Sequence, residues 1–277
     1  MMTTDSILTT SPAKINLMLR VLGQRDDGYH LLQTYFQLLD WGDGMEFILS
    51  EEDSISINGQ FPNLKTEDNL IYKAAELLQP HKKSSQGIII NVDKNIPQGS
   101  GLGGGSSNAA TTLRVLNDIW QCQLSNRQLQ QMAIKLGADV PVFVLNSSAM
   151  ASGIGEILTP YSIEPYYFVL VFPQTGIATA EVFSSKKLLR DQQAIAIEQI
   201  NDPKNWSNAC LPVVLENYPE VAQVYQRAAK FSAIFMSGTG STLFSYFHTL
   251  AEAQQFINQI PQAIKTQICR ARHVSLN

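Results

Sequence analysis

Five glycines and three serines share the nine positions from Gly99 to Ser107, Gly-Ser-Gly-Leu-Gly-Gly-Gly-Ser-Ser. Glycine loses the most backbone entropy on ordering, so such a run is a poor interior for either a helix or a strand. Its flanks narrow the options. Upstream, Gly87–Val92 is a β-branched run that reads as a strand and ends in Asp93-Lys-Asn-Ile-Pro97. Downstream, Ala109, Leu113, Leu116 and Trp120 recur at helical spacing and give a helix one apolar face. A glycine-serine loop that opens a helix brings backbone N–H groups close to a ligand, and the helix dipole favours an anion there. The loop is expected to cradle phosphate, against the plainer reading of a flexible connection.

Two familiar phosphate schemes do not fit. Gly99, Gly101 and Gly104 satisfy G-x-G-x-x-G, but that fingerprint needs an acidic residue about twenty positions on, after the next strand. The nearest, Asp118, falls on the helix, and a second helix follows. Ser125-x-x-Gln128 is its capping box, Leu129, Met132, Ala133 and Leu136 its apolar positions and Gly137 its C-terminal stop. A Walker A loop needs Gly-Lys-Ser/Thr, and no lysine follows these glycines.

With 277 residues, 44% hydrophobic and 16% charged, the chain has the make-up of a globular protein of one large or two ordinary domains. A formal net charge of −4 without a Lys/Arg stripe argues against nucleic acid, and no apolar run is long enough to cross a bilayer. Phosphate must then be handled locally, by oriented N–H groups and a few lysines. The N-terminus shows neither a signal nor a transit pattern, so a cytoplasmic address is expected. Cys122, Cys210 and Cys269 are too widely spaced for a zinc site or disulfide framework and read as core thiols.

Ala13–Leu19 alternates with period two, which sets Ala13, Ile15, Leu17 and Leu19 on a buried face and Lys14 and Asn16 together on the opposite, exposed one. A turn at Arg25–Gly28 leads into Tyr29-His30 and an apolar stretch to Leu39. Strands are expected at 45–49, 54–57, 166–172, 232–236, 242–247 and near 270–275, and helices at 68–78, 181–189, 213–229 and 250–260. Ser237–Gly240 is a tight glycine turn. Strands and helices without strict alternation argue for an α+β fold, with two domains, 1–162 and 163–277.

Pro12-Ala-Lys-Ile-Asn-Leu17, Pro97–Ala110 and Met236-Ser-Gly-Thr-Gly-Ser241, in this order, together resemble the GHMP small-molecule kinase superfamily. Ser11–Leu19, Gly23–Thr34, Leu136-Gly-Ala-Asp-Val-Pro141 and Gly153–Pro160 are similar to the branch that acts on 4-diphosphocytidyl-2-C-methyl-D-erythritol. Asn108 departs from that branch, where Asp is common. The resemblance implies an N-terminal domain like the second domain of ribosomal protein S5 and a ferredoxin-like C-terminal domain. It implies transfer of the ATP γ-phosphoryl group to the 2-hydroxyl of the methylerythritol unit in the non-mevalonate isoprenoid route. The expected partner is thus a small molecule carrying a cytidine diphosphate group.

The resemblance also implies roles. Asp139 is the expected general base, against a helix cap before Pro141. Lys14 is expected to hold Asp139 ionised and lower the acceptor hydroxyl pKa, and Asn16 to bond substrate. Tyr29, His30, Phe36 and Phe183, with Thr179 beside the last, are candidates for the cytosine. Asn69, Leu70 and Lys94 would line the adenine site, against a helix cap for Asn69 and a solvated turn residue for Lys94. Pro97, Gly99, Ser100, Gly101, Leu102, Gly103, Gly104, Gly105, Ser106 and Ser107 would hold the phosphates. Magnesium is expected with ATP, and Ser106 or Ser107 is the candidate to touch it. Gly238 and Thr239 would close over substrate, against a plain hairpin turn. The alternatives are a mevalonate, phosphomevalonate or homoserine kinase, or a nucleotide sensor without turnover on the same fold.

Overall fold

The computed structural model describes residues 6–62 and 64–272. It divides into two compact units. The first comprises residues up to Ala13, Trp41–Pro97 and Gly103–Asn146; the second comprises Lys14–Asp40, Gln98–Leu102 and residues from Ser147 onward. Two long strands, β1 (Ser6–Gln24) and β2 (His30–Ser50), run through both.

In the first unit, β3 (Ile55–Gly59) pairs parallel with β4 (Gly87–Asp93), and β4 pairs antiparallel with β2 from Gly44↔Asp93 to Ser50↔Gly87. The helices are α1 (Leu70–Leu78), α2 (Gly104–Ile119), α3 (Asn126–Ala133) and α4 (Val140–Leu145). α1 buries Ile71, Ala74, Ala75 and Leu78 against α2, whose Ala109, Ala110, Leu113 and Leu116 are buried in turn. The small residues let the two helices approach closely, and the expected apolar face of α2 is the buried one. The Ser125/Gln128 capping box is present, but α3 stops at Ala133, short of Gly137.

In the second unit, β2 pairs antiparallel with β5 (Ala149–Gly153), and β5 with β6 (Ile157–Pro160). A separate antiparallel sheet has the order β10 (Lys265–Arg270), β7 (Tyr167–Phe172), β9 (Leu243–Phe247), β8 (Phe235–Met236). Taken along the chain this is the fourth-first-third-second order of a ferredoxin-like β-α-β-β-α-β unit. Its helices are α5 (Thr179–Ser184), α6 (Leu211–Asn217), α7 (Pro219–Ala228) and α8 (Leu250–Gln259). Val169, Val171, Met236 and Leu243 of the sheet share a core with Val214, Val221 and Phe256 of the helices. The α+β expectation and the ferredoxin-like second half are what the structure has.

Several expected elements differ. The apolar stretch to Leu39 and the strand at 45–49 are one continuous strand, β2. At Gly42 an added Cβ would lie 1.9 Å from the Ser11 carbonyl, so the glycine that breaks the sequence pattern is what lets β1 pass. The expected helix over 213–229 is two, because Pro219 cannot continue a helix and restricts Tyr218 before it. α5 ends at Ser184 rather than Leu189, β8 is two residues long, and the last strand lies at Lys265–Arg270. The part of that expected strand beyond Arg272 lies outside the described residues. The three cysteines are free and buried, and burial pushes the Cys210 thiol up to about 12.

Candidate active site

The glycine run supplies residues to both units. In the first, Gly103 is the N-cap of α2 at φ +73°, a conformation that suits glycine, and no side chain caps the helix. The first-turn N–H groups of α2 have no intrahelical acceptors, so they are donors offered to an anion. Behind them lies a buried polar network. Asp43, fully buried, accepts from the Asn95 and Ile96 backbone N–H groups at 2.8 Å each, from Asn108 Nδ2 at 3.0 Å and from Lys94 Nζ. Asn108 Oδ1 accepts from Lys94 at 2.9 Å, and Asn108 Nδ2 also donates to Ser11 Oγ. The amide at 108 thus donates to a carboxylate and accepts from an ammonium, which a carboxylate there could not do.

Three expected ligand residues are tied up in this unit. Lys94 is ion-paired and neither a solvated turn residue nor a free adenine contact. Asn69 takes its alternative role: it caps α1, with Oδ1 accepting from Ile71 N at 3.0 Å, and Leu70 opens that helix. Ser107 Oγ donates to the Pro12 carbonyl at 2.6 Å and accepts from Ser11 Oγ at 2.7 Å in a fully buried position. In this arrangement the Ser107 hydroxyl is already engaged, whereas Ser106 is half-buried at the first turn of α2. Asp139 precedes α4 at φ −85°, ψ −13°, half-buried, and its side chain does not cap the helix. The capping alternative for Asp139 is therefore absent.

In the second unit, Lys14 and Asn16 do not lie on an exposed face. Both are almost fully buried, because Thr34, Phe36 and the 237–240 turn cover the side of β1 opposite the apolar one. Lys14 Nζ donates to Asn16 Oδ1 at 2.6 Å and to the Gly101 carbonyl at 2.9 Å. Asn16 Nδ2 donates to Thr34 Oγ1 at 2.8 Å. Ser237 Oγ also donates to the Gly101 carbonyl, at 2.9 Å. A Cβ on Gly101 would lie 2.4 Å from the Ser237 carbonyl, and Gly101 sits at φ +75°, so only glycine fits. The Ser237–Gly240 turn is thus more than a hairpin connection. Gly238 lies beside Asn16, Gly101 and Lys14, and Thr239 Oγ1 is 2.9 Å from Thr179 Oγ1. The Phe36 ring is buried with Lys14 Nζ 5.4 Å from its centroid, so one face of it is turned to the ammonium.

A third cluster in the second unit gathers around His30, whose ring is 5.1 Å from that of Phe183. Tyr29, beside it, is 60% exposed. Burial, and then the Arg190 guanidinium, lower the His30 pKa. Sequence reasoning passes over Arg190 and Asp43 and reads Ser237 only as part of the glycine turn. Among the described residues, no three or more His, Cys, Asp or Glu side chains are placed to hold a metal, and no helix is long and apolar enough to cross a membrane.

Two family signatures match: GHMP kinases N terminal domain over residues 69–147 and GHMP kinases C terminal over residues 188–266. A 4-diphosphocytidyl-2-C-methyl-D-erythritol kinase from Pseudomonas fluorescens is 43% identical over 277 residues, covering 99% of this chain and 97% of its own. One from Acinetobacter baumannii is 45% identical over 240 residues, 86% of each chain. A crystal structure of 4-(cytidine 5'-diphospho)-2C-methyl-D-erythritol kinase superposes with a TM-score of 0.83 at 27% identity, covering 96% of this chain and 100% of that one. Identity of this extent, over nearly the whole chain, places it among the kinases that the motifs resembled: it belongs to the 4-diphosphocytidyl-2-C-methyl-D-erythritol kinase family of the GHMP kinases.

Proposed function

We infer that this enzyme transfers the γ-phosphoryl group of ATP to the 2-hydroxyl of 4-diphosphocytidyl-2-C-methyl-D-erythritol, giving the 2-phosphate and ADP, in the non-mevalonate isoprenoid route. Kinship with kinases of that name supports the reading. The observation that carries it is the buried Lys14 ammonium, pinned to the carbonyl of the glycine run by a 2.9 Å bond and oriented by Asn16. A cation is rarely buried without a task that repays its desolvation.

The uncapped N-terminus of α2 receives the phosphates, through the N–H groups of Gly104, Gly105 and Ser106. Asp139 accepts the proton of the attacking hydroxyl, and Lys14 steadies the negative charge that develops on that oxygen. Magnesium fits this site only as a companion of the triphosphate, since the described residues form no carboxylate cage; Ser106 would be its protein ligand, with phosphate and water supplying the rest. When bound it neutralises charge on the phosphoryl oxygens. Residues 1–162 are assigned to the ATP-binding part and 163–277 to the C-terminal part, although 14–40, 98–102 and 147–162 belong to the second compact unit; His30, Tyr29 and Phe183 read the cytosine.

The test is ATP consumption with Mg²⁺ across a panel of acceptors, with the phosphorylated position read by phosphorus NMR. Turnover is expected only with the cytidine-bearing acceptor. Turnover of mevalonate or homoserine would reject the substrate, and ATP binding with no turnover of any acceptor would reject catalysis.

A further inference from the structure

Arg190 spends its guanidinium on one small region. Its Nη2 donates to the carbonyls of Phe183 at 2.8 Å and Ser185 at 2.9 Å, and its Nη1 to that of Leu188 at 2.9 Å. The remaining group, Nε, donates to His30 Nε2 at 3.0 Å. An arginine has no acceptor and keeps its protons, so this contact requires a lone pair on His30 Nε2. A neutral imidazole with a lone pair on Nε2 carries its proton on Nδ1. Among the described residues Nδ1 has no hydrogen-bond partner, and the ring centroid lies 5.1 Å from that of Phe183, the planes tilted by 35°; the same arginine holds the Phe183 carbonyl.

We propose that Arg190 is a positioning residue for the acceptor: it fixes His30 as the neutral Nδ1–H tautomer and ties it to Phe183. The pocket then presents one donor beside an aromatic face. Such a pair reads a ring acceptor, the ring nitrogen or carbonyl of a pyrimidine, and gives no acceptor to a base that offers only a donor there. The lowered His30 pKa is in keeping with a ring that stays neutral beside a cation. The assignment rests on the cytidine-bearing acceptor proposed above for its ligand, but not for its tautomer.

Nitrogen-15 NMR of protein labelled at the histidine ring reads the tautomer directly. In the unliganded wild type, His30 should show a protonated Nδ1 and an unprotonated Nε2. A protonated Nε2, alone or with Nδ1, overturns the proposal. Arg190→Met should release the ring to a tautomer mixture and raise the acceptor KM by roughly tenfold or more, with the loss in KM rather than kcat. Arg190→Lys, which keeps one donor toward Nε2, should restore the Nδ1–H pattern and part of the affinity. An Arg190→Met protein that retains both the wild-type tautomer and the wild-type acceptor KM refutes the role. Should the Met variant fail to fold, the wild-type spectrum and the Lys variant still decide. If the wild type does not turn over the cytidine-bearing acceptor, the proposed function fails, while the spectra still settle what Arg190 does to His30.

Discussion

Asp43→Ala would test whether the glycine run is held from behind by a buried charge. The carboxylate is fully buried and accepts from two backbone N–H groups, one side-chain amide and one ammonium. Alanine removes all four acceptor contacts and leaves the Lys94 ammonium, 19% exposed, without its carboxylate, held only by Asn108 Oδ1. Breaking a buried ion pair from one side costs about 3–5 kcal/mol. An orphaned buried N–H group costs about 1–3 kcal/mol, part of which Lys94 and local relaxation would recover. A net loss of about 4 kcal/mol is expected, against a total stability on the order of 5–15 kcal/mol.

Urea unfolding gives the number. With a slope of about 3 kcal/mol/M, the upper end for small proteins, the midpoint should fall by about 1.3 M. Two of the three tryptophans, Trp41 and Trp120, lie in the first unit, so fluorescence follows the part of the chain that holds Asp43. The paired variant Asp43→Leu/Lys94→Met should lose less than the sum of the single changes, because it leaves no unpaired charge. Asn95 and Ile96, which Asp43 anchors, immediately precede Pro97 and the glycine run, so the ATP KM should rise in Asp43→Ala. A midpoint shift below about 0.3 M, roughly 1 kcal/mol, would refute the reasoning.

Further outcomes follow from single positions. Asp139→Asn should lower kcat by about 10³-fold, on the order of 4 kcal/mol in the barrier, with stability little changed; steady-state kinetics showing near-normal turnover would reject it as the base. In Gly101→Ala the new Cβ would sit 2.4 Å from the Ser237 carbonyl in a left-handed conformation, so calorimetry should find ATP affinity reduced by about tenfold or more. His30 has its pKa lowered, first by burial and then by Arg190, so the folded state binds its proton less readily than the unfolded chain. Its contribution to stability is therefore complete above the ordinary histidine pKa of about 6.5 and is lost as pH falls below it. The difference in urea midpoint between wild type and His30→Gln should shift against the wild type between about pH 7 and pH 5, and an unchanged difference would count against the lowered pKa.

What the sequence made legible was what repeats or clusters along it. The apolar face of α2, the capping box of α3 and the strand-loop-helix setting of the glycine run are local patterns, and each is where it was expected. Period-two alternation in Ala13–Leu19 correctly marked a strand, but it could not tell that both faces of that strand are covered. The alternation puts Lys14 and Asn16 on an exposed face, where a strand lysine usually lies, although the resemblance gives both a role in the site. Their burial comes from Thr34 and Phe36 on the neighbouring strand and from the Ser237–Gly240 turn, the last more than two hundred positions away, which no periodicity reports.

The same argument explains which polar residues escaped notice. Asp43 pairs with Lys94 and Asn108, and Arg190 with His30, across 51, 65 and 160 positions of sequence. A charged residue seen alone is most simply read as solvated, and its meaning lies in a partner that only the fold brings near. Where the resemblance supplied residues one by one, it favoured those that would touch ligand. It gave no weight to the residues that hold them, although an amide at 108 supplies an acceptor to Lys94 and a guanidinium at 190 decides which nitrogen of His30 accepts. Ligand contact is therefore only half of what this site requires of its sequence. The other half is the set of buried donors and acceptors that fix the charge, the tautomer and the direction of each contacting group.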